Sequence, residues 1–377
     1  MRRAVVTLGH AGHAGMLRAL KILDDAAPAH GWELRFVIAE RDPLVAAEGL
    51  PPARTHYLPA LHRWRRWTSR LTLPLDVWRL ASIARGADLF YACTLSSFPY
   101  CRLAGRHLGV PHVVHVYSSY ATPEPYRKHL LGRARSVVAP SADSLRLAAD
   151  AIGGFAPGVR TRVAYNGMDV ERLRRAATAP GPVGLLAAGR PTIGMVGNLA
   201  ERKNPATLVE ATPAIRAAVP GIRVLLVGAF PDPAYEARVR GRIAALGLDD
   251  VVRVTGFLPN PFPVVSRLDV LVHPARRDPF PLALLEGMGL ARPIVASAVG
   301  GVPEMLVDGE SGRLVPPDDP PALAAAVTAL LADPDARARI GAAAHARLVT
   351  KFSLASFAAT MFGAFDEAVA DARGGRS

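Results

Sequence analysis

The chain has 377 residues, half of them apolar, with 45 Lys and Arg against 32 Asp and Glu and a net charge of +13. That length and apolar share exclude a disordered chain and suit two domains better than one. Two cysteines, Cys93 and Cys101, exclude a disulfide framework or a cysteine zinc site, and both read as buried thiols.

The charge is uneven. Residues 1–180 hold 25 Lys and Arg against 13 Asp and Glu, a net +12, while residues 181–377 hold 20 against 19, a net +1. A basic first half attracts anions such as phosphorylated substrates, nucleic acid or lipid headgroups; an Ala- and Arg-rich coding bias would give the same excess. No apolar run reaches the roughly 18–20 residues of a membrane span. Ala4–Leu8 is too short for the apolar segment of a signal peptide, so a cytoplasmic location is expected.

In chain order, Arg3–Leu8 reads as a strand, GHAGHAG as a glycine loop, and Met16–Ala27 as an amphipathic helix. A strand, a glycine loop and a helix in succession suit close backbone approach to a ligand. His10 and His13 in that loop are either substrate contacts or solvated side chains. Glu33–Ala39 is the second strand. His62–Leu71, HRWRRWTSRL, sets Trp64, Trp67 and Leu71 at helical spacing with Arg65 and Arg66 between the tryptophans. This pattern fits an acceptor-stacking surface, a peripheral contact with an anionic membrane, or an edge helix packed into its own domain. Nucleic acid is not expected, because no recognised binding module surrounds it.

Strands at 88–92, 112–116 and 136–139 alternate with helical stretches at 97–108, 126–134 and 142–151. The alternation predicts a parallel sheet with helices on both faces. His115 falls at a strand end, where open α/β sheets bind ligands; a buried core histidine is the other reading. Ser141 is a helix N-cap, and Asn166–Gly167 is a turn. Residues 176–190 are Ala-, Gly- and Pro-rich and read as a linker. A second alternating set follows, with strands at 192–197, 223–228, 251–255 and 268–273 and helices at 205–219 and 235–246. A last helix spans 352–372.

Residues 278–304, DPFPLALLEGMGLARPIVASAVGGVPE, organise the second half. Asp278 stands in a loop, and Pro281 is placed at the first helical position. The following helix is apolar on nearly every face and therefore buried. Glu286 lies in the middle of it, where a carboxylate needs hydrogen-bond donors such as sugar or ribose hydroxyls. Gly300–Gly301 turns from a strand into a helix start, whose bare N–H groups can seat a phosphate.

This stretch resembles the Glu-x7-Glu region of the retaining nucleotide-sugar glycosyltransferases of family 4. The resemblance extends to VVAPSADSLRLA, RVAYNGMDVERL, IGMVGNLAERKN and VTGFLPN, and it covers nearly the whole chain. It implies two Rossmann-like doubly wound α/β domains facing a cleft, the GT-B architecture. The expected boundaries are 1–175 for an acceptor domain and 191–350 for a donor domain, with 351–377 returning to the first.

The resemblance also implies roles. Asp278, where the family has Glu, and His115 meet the donor sugar, and Glu286 holds the ribose. Lys203, beside Arg202, neutralises the diphosphate, and Asn198 stands where the family has Arg. Gly256, Phe257 and Leu258 read the base. Phe280, Pro281 and Leu282 line the donor loop, Pro281 replacing a Gly, and Gly12 approaches the phosphates. Gly300 and Gly301 seat the diphosphate.

His115, Lys203 and Asp278 are the expected catalytic residues. The expected reaction is transfer from a nucleotide-diphospho sugar to an acceptor hydroxyl, with retention. No metal-ligand cluster or DxD-like pair is present, so neither metal nor cofactor is expected. The acceptor is expected to be anionic, lipid-linked or a small hydroxylated molecule, at the cytoplasm or the inner membrane face. A nucleotide-sugar epimerase and a catalytically weak binding subunit are the alternatives.

Overall fold

The computed structural model describes residues 1–9, 14–47, 49–62, 69–117, 120, 122–181, 185 and 189–374. Among the described residues, thirteen strands form two wholly parallel sheets. The first contains β1 (Arg2–Leu8), β2 (Trp32–Ile38), β3 (Thr55–Tyr57), β4 (Leu89–Ala92), β5 (His112–His115), β6 (Ser136–Ala139) and β7 (Arg160–Val163), in the order β3-β2-β1-β4-β5-β6-β7. The second contains β8 (Thr192–Val196), β9 (Arg223–Val227), β10 (Val252–Gly256), β11 (Val270–His273), β12 (Ile294–Ser297) and β13 (Arg313–Val315), in the order β10-β9-β8-β11-β12-β13.

Each order reverses direction once, beside β1 and β4 in the first sheet and beside β8 and β11 in the second. Such reversals open a crevice at the carboxyl ends of the strands. The central strands are continuous apolar runs because helices cover both their faces. In the first sheet, two apolar clusters share the strands by alternation. Val6 and Tyr91 belong to one, Val5 and Phe90 to the other.

The chain divides into two compact units, residues 1–167 with 354–377, and residues 168–353. The helix Leu354–Gly374 belongs to the first, where Phe357, Phe362 and Phe365 are buried with β1 and β2. Trp32 Nε1 donates to Asp366 Oδ1 at 2.8 Å, and Arg160 and Arg162 on β7 pair with Asp371 and Glu367. The sequence reading set the divisions at 175 and 350.

Ser141 caps its helix, accepting from the Ser144 N–H at 3.1 Å. One expected helix differs. Residues 126–134 form a short helix, Glu124–Lys128, and a 3-10 turn, Leu131–Arg133. Leu130, with φ 62°, turns the backbone left-handed between them, which no α-helix tolerates. The strands β3, β7 and β13 and the long helix Pro334–Lys351 were not anticipated. These strands lie at sheet edges and carry polar, partly exposed residues, so no apolar run marks them.

Candidate active site

In the second unit, β8 and β11 run side by side and end beside one another. After β8 the chain makes a 3-10 turn, Glu201–Lys203, and then Asn204 with φ 57°. The buried Asn204 amide ties this turn down, donating to Thr207 Oγ1 at 2.6 Å and Asp318 Oδ1 at 2.9 Å. After β11 the chain passes through Arg276 and Arg277, and the Arg276 N–H donates to the Arg202 carbonyl at 2.9 Å. These two loops place Lys203 against Asp278.

Lys203 Nζ donates to Asp278 Oδ2, and His273 Nε2 lies 2.9 Å from the same oxygen. Asp278 and His273 are almost wholly buried, and Lys203 nearly so. Burial works to raise the Asp278 pKa, but the Lys203 charge and the His273 hydrogen bond outweigh it and hold the carboxyl well below the usual range. Burial lowers the Lys203 pKa against the pull of Asp278, and also lowers that of His273. The imidazole is therefore neutral and donates its Nε2–H.

The helix Leu282–Gly289 starts beside this cluster. Leu284, Leu285 and Met288 are buried, and Gly287 lets the helix close on β11, because a Cβ there would lie 2.4 Å from Leu271 Cδ2. Glu286 is 6% exposed on this apolar helix. Its charge supports the ammonium form of Lys203, so both belong to one electrostatic site. Gly300 has φ 56° and packs so closely that a Cβ would lie 2.0 Å from the Asp278 carbonyl oxygen. That carbonyl also accepts from the Gly301 N–H at 3.1 Å.

In the first unit, His115 ends β5 with no exposed surface. Tyr91 Oη lies 2.6 Å from its Nδ1. The Tyr91 phenol is kept protonated, chiefly by burial. Oη and Nδ1 therefore share one hydrogen bond between two neutral groups. Among the described residues Nε2 has no hydrogen-bond partner. Burial pushes the His115 pKa down to about 3.

A family model described as glycosyltransferase family 4 matches residues 15–172, and one described as glycosyl transferases group 1 matches residues 190–333. The α-maltose-1-phosphate synthase of Mycolicibacterium smegmatis is 32% identical over 285 residues, 68% of this chain and 73% of the relative. The chain belongs to the family 4 glycosyltransferases. The glycosyltransferase is also 29% identical to the α-D-kanosaminyltransferase of Streptomyces kanamyceticus over 307 residues, 75% of each chain. Its fold matches the crystal structure of Anabaena Alr3699/HepE in complex with UDP, with a TM-score of 0.80, 21% identity, and coverage of 97% of this chain and 100% of the other. Its two parallel-sheet α/β units are those of the GT-B fold.

Of the residues expected at the glycosyltransferase's site, Lys203, Asp278, Glu286, Gly300 and Gly301 are brought together. Asn198, Arg202 and Phe257 are exposed on loops that follow β8 and β10, and Leu258 is half-buried. Gly256 closes β10 with φ 74°. Phe280 is turned inward, 5.4 Å from Phe352 edge to face, and leaves only its backbone for a ligand. Pro281 is the N-cap, with ψ 119°, and the helix begins one residue later at Leu282.

The anion seat expected at Gly300–Gly301 is not a bare helix start. The Gly301 and Val302 amides donate to the Asp278 and Val299 carbonyls, Pro303 has no N–H, and the helix Val302–Met305 is a single turn. Gly12, His10, His13, Trp64, Arg65, Arg66 and Trp67 lie outside the described residues.

Sequence reasoning missed His273 and Tyr91. Both sit on buried strands, where nothing in the residue pattern separates a site residue from a core one. Among the described residues no group of His, Cys, Asp and Glu is placed to hold a metal, and no helix is long and apolar enough to cross a membrane.

Proposed function

We infer that the glycosyltransferase takes its sugar from a nucleotide-diphospho donor held by the second unit. We also infer that it transfers the sugar with retention and without a metal. The observation that carries the donor reading is the buried Lys203–Asp278 pair with Glu286 on the adjoining helix, at the direction reversal of the second sheet.

In the reaction the bond from the anomeric carbon to the diphosphate oxygen breaks, and a bond to the acceptor oxygen forms. The acceptor proton leaves with the departing diphosphate or to solvent. Negative charge grows on the diphosphate, and a fixed ammonium in a dry site stabilises it far more than water does. Lys203 fills that role, with Asp278 and His273 holding its side chain in place. Glu286 accepts from the ribose hydroxyls. Solved relatives of the same fold that bind UDP and UDP-glucose support a nucleotide-sugar donor. The acceptor class that fits a basic first half is an anionic or lipid-linked alcohol, or a small hydroxylated molecule.

Calorimetry with UDP, GDP, ADP and TDP and their sugar conjugates tests the donor site. One preferred nucleotide is expected, with its signal lost in Glu286→Ala. Undiminished binding in that variant would remove the ribose assignment, and no binding to any nucleotide would remove the donor reading.

A further inference from the structure

The helix Ser69–Ile83 is apolar on two opposite sides. Val77, Leu80 and Ala81 pack into the first unit. Leu71, Leu75 and Trp78 recur at i, i+4 and i+7 on the other side, 80%, 46% and 57% exposed. Single exposed hydrophobics are ordinary, but three on one helical stripe are a patch. A helix apolar all round is normally covered all round, and here one side faces solvent.

The residues flanking that stripe are basic. Arg79 and Arg85 are exposed. Between His62 and Gly86 the sequence carries six arginines and one acid, Asp76, which is buried and 3.9 Å from an Arg79 guanidinium nitrogen. Three of the chain's four tryptophans, at positions 64, 67 and 78, fall in the same stretch. The fourth, Trp32, is fully buried.

We propose that this face docks on an anionic lipid bilayer. Leu71, Leu75 and Trp78 enter the boundary between headgroups and acyl chains, and Arg79 and Arg85 pair with headgroup phosphates. Aliphatic and indole side chains with the guanidinium groups of Arg79 and Arg85 nearby suit that boundary, which is apolar below and anionic above. A second copy of the chain fits poorly. A two-fold interface would set the exposed Arg79 and Arg85 of each copy against the same basic face, and like charges facing each other cost free energy. The proposal is independent of the donor chemistry, since no residue of the stripe belongs to the Lys203 site.

The test is co-sedimentation of the full chain with phosphatidylcholine vesicles and with vesicles that also contain phosphatidylglycerol. Binding to the anionic vesicles is expected, weakening with added salt, with little binding to phosphatidylcholine alone. Leu71→Ala/Leu75→Ala/Trp78→Ala lowers the partition coefficient roughly a hundredfold. Arg79→Gln/Arg85→Gln lowers it roughly thirtyfold. Exposed positions tolerate substitution, so both variants keep the wild-type thermal transition. The proposal is overturned by a wild-type chain that stays in the supernatant, binds both vesicles equally, or loses nothing in the triple variant. A wild-type dimer that the triple variant dissociates would assign the face to a second copy instead.

Discussion

Replacing Lys203 by Met removes the cation from a site in which the Asp278 side chain is only 5% exposed. Breaking a buried ion pair from one side leaves the other charge unpaired and costs about 3–5 kcal/mol. His273 still donates to Asp278, so the lower end, about 3 kcal/mol, is expected. For a unit of this size each kcal/mol lowers the melting temperature by about 2–4 °C, so the expected drop is about 6–12 °C.

The loss depends on pH with a definite sign. In the wild type the folded Asp278 pKa lies below its unfolded value, so its contribution is present above the ordinary Asp range and is lost as pH falls. In the variant burial acts unopposed by Lys203 and the carboxyl protonates more readily, so the two proteins converge in stability on acidification. Adding Asp278→Asn removes the stranded charge while keeping an acceptor for His273. The double variant therefore regains most of the stability and none of the turnover. Thermal unfolding across pH, paired with a donor-turnover assay, measures both. A single variant melting with the wild type, or a double variant no more stable than the single, would refute the buried-pair account.

Three further outcomes are expected. The His115 pKa lies at about 3 because of burial, and the His112 pKa at about 4 because of burial and then Arg102 and Arg135. Both folded values are below the unfolded one, so burial of the rings is without pH penalty above about pH 6.5 and costs up to about 1.4 kcal/mol per pH unit per histidine as pH falls from there to the folded pKa. Denaturant titrations of His112→Gln and His115→Gln should show a flatter acid limb, and an unchanged slope would count against the burial argument.

Tyr91→Phe keeps the ring but removes the hydrogen bond to His115 Nδ1. Nitrogen NMR should show the imidazole tautomer balance shift, and kcat/KM should fall roughly tenfold, the equivalent of one orienting hydrogen bond. An unchanged tautomer balance in the variant would remove Tyr91 from that role. Gly300→Ala forces a side chain onto a left-handed backbone and against the Asp278 carbonyl. A loss of about 1–3 kcal/mol and weaker nucleotide binding are expected, and wild-type affinity and melting would show that the turn relaxes freely.

The sequence by itself determined the architecture and the candidate residues. Apolar runs separated by glycine turns and amphipathic helices can bury their surface only as parallel sheets covered on both sides, and two such series were countable along the chain. Glu286 declared itself because a carboxylate on an apolar helix has no cheap place to go. Asp278, Lys203 and Gly300 were legible through the resemblance to family 4.

What only the tertiary structure decided was the pairing. Lys203 and Asp278 are 75 positions apart, and no local pattern says that their side chains meet. Nor does any say that His273 joins them, or that the amides after Gly300 are already spent. Tyr91 and His115 stand on adjacent strands, yet their hydrogen bond depends on register and burial, which composition does not encode. The exposure of Leu71, Leu75 and Trp78 was not legible either, because periodicity reports which residues share a face and not what lies across from it. Contact between distant side chains is set by how strands are ordered, and that order is a property of the whole sheet.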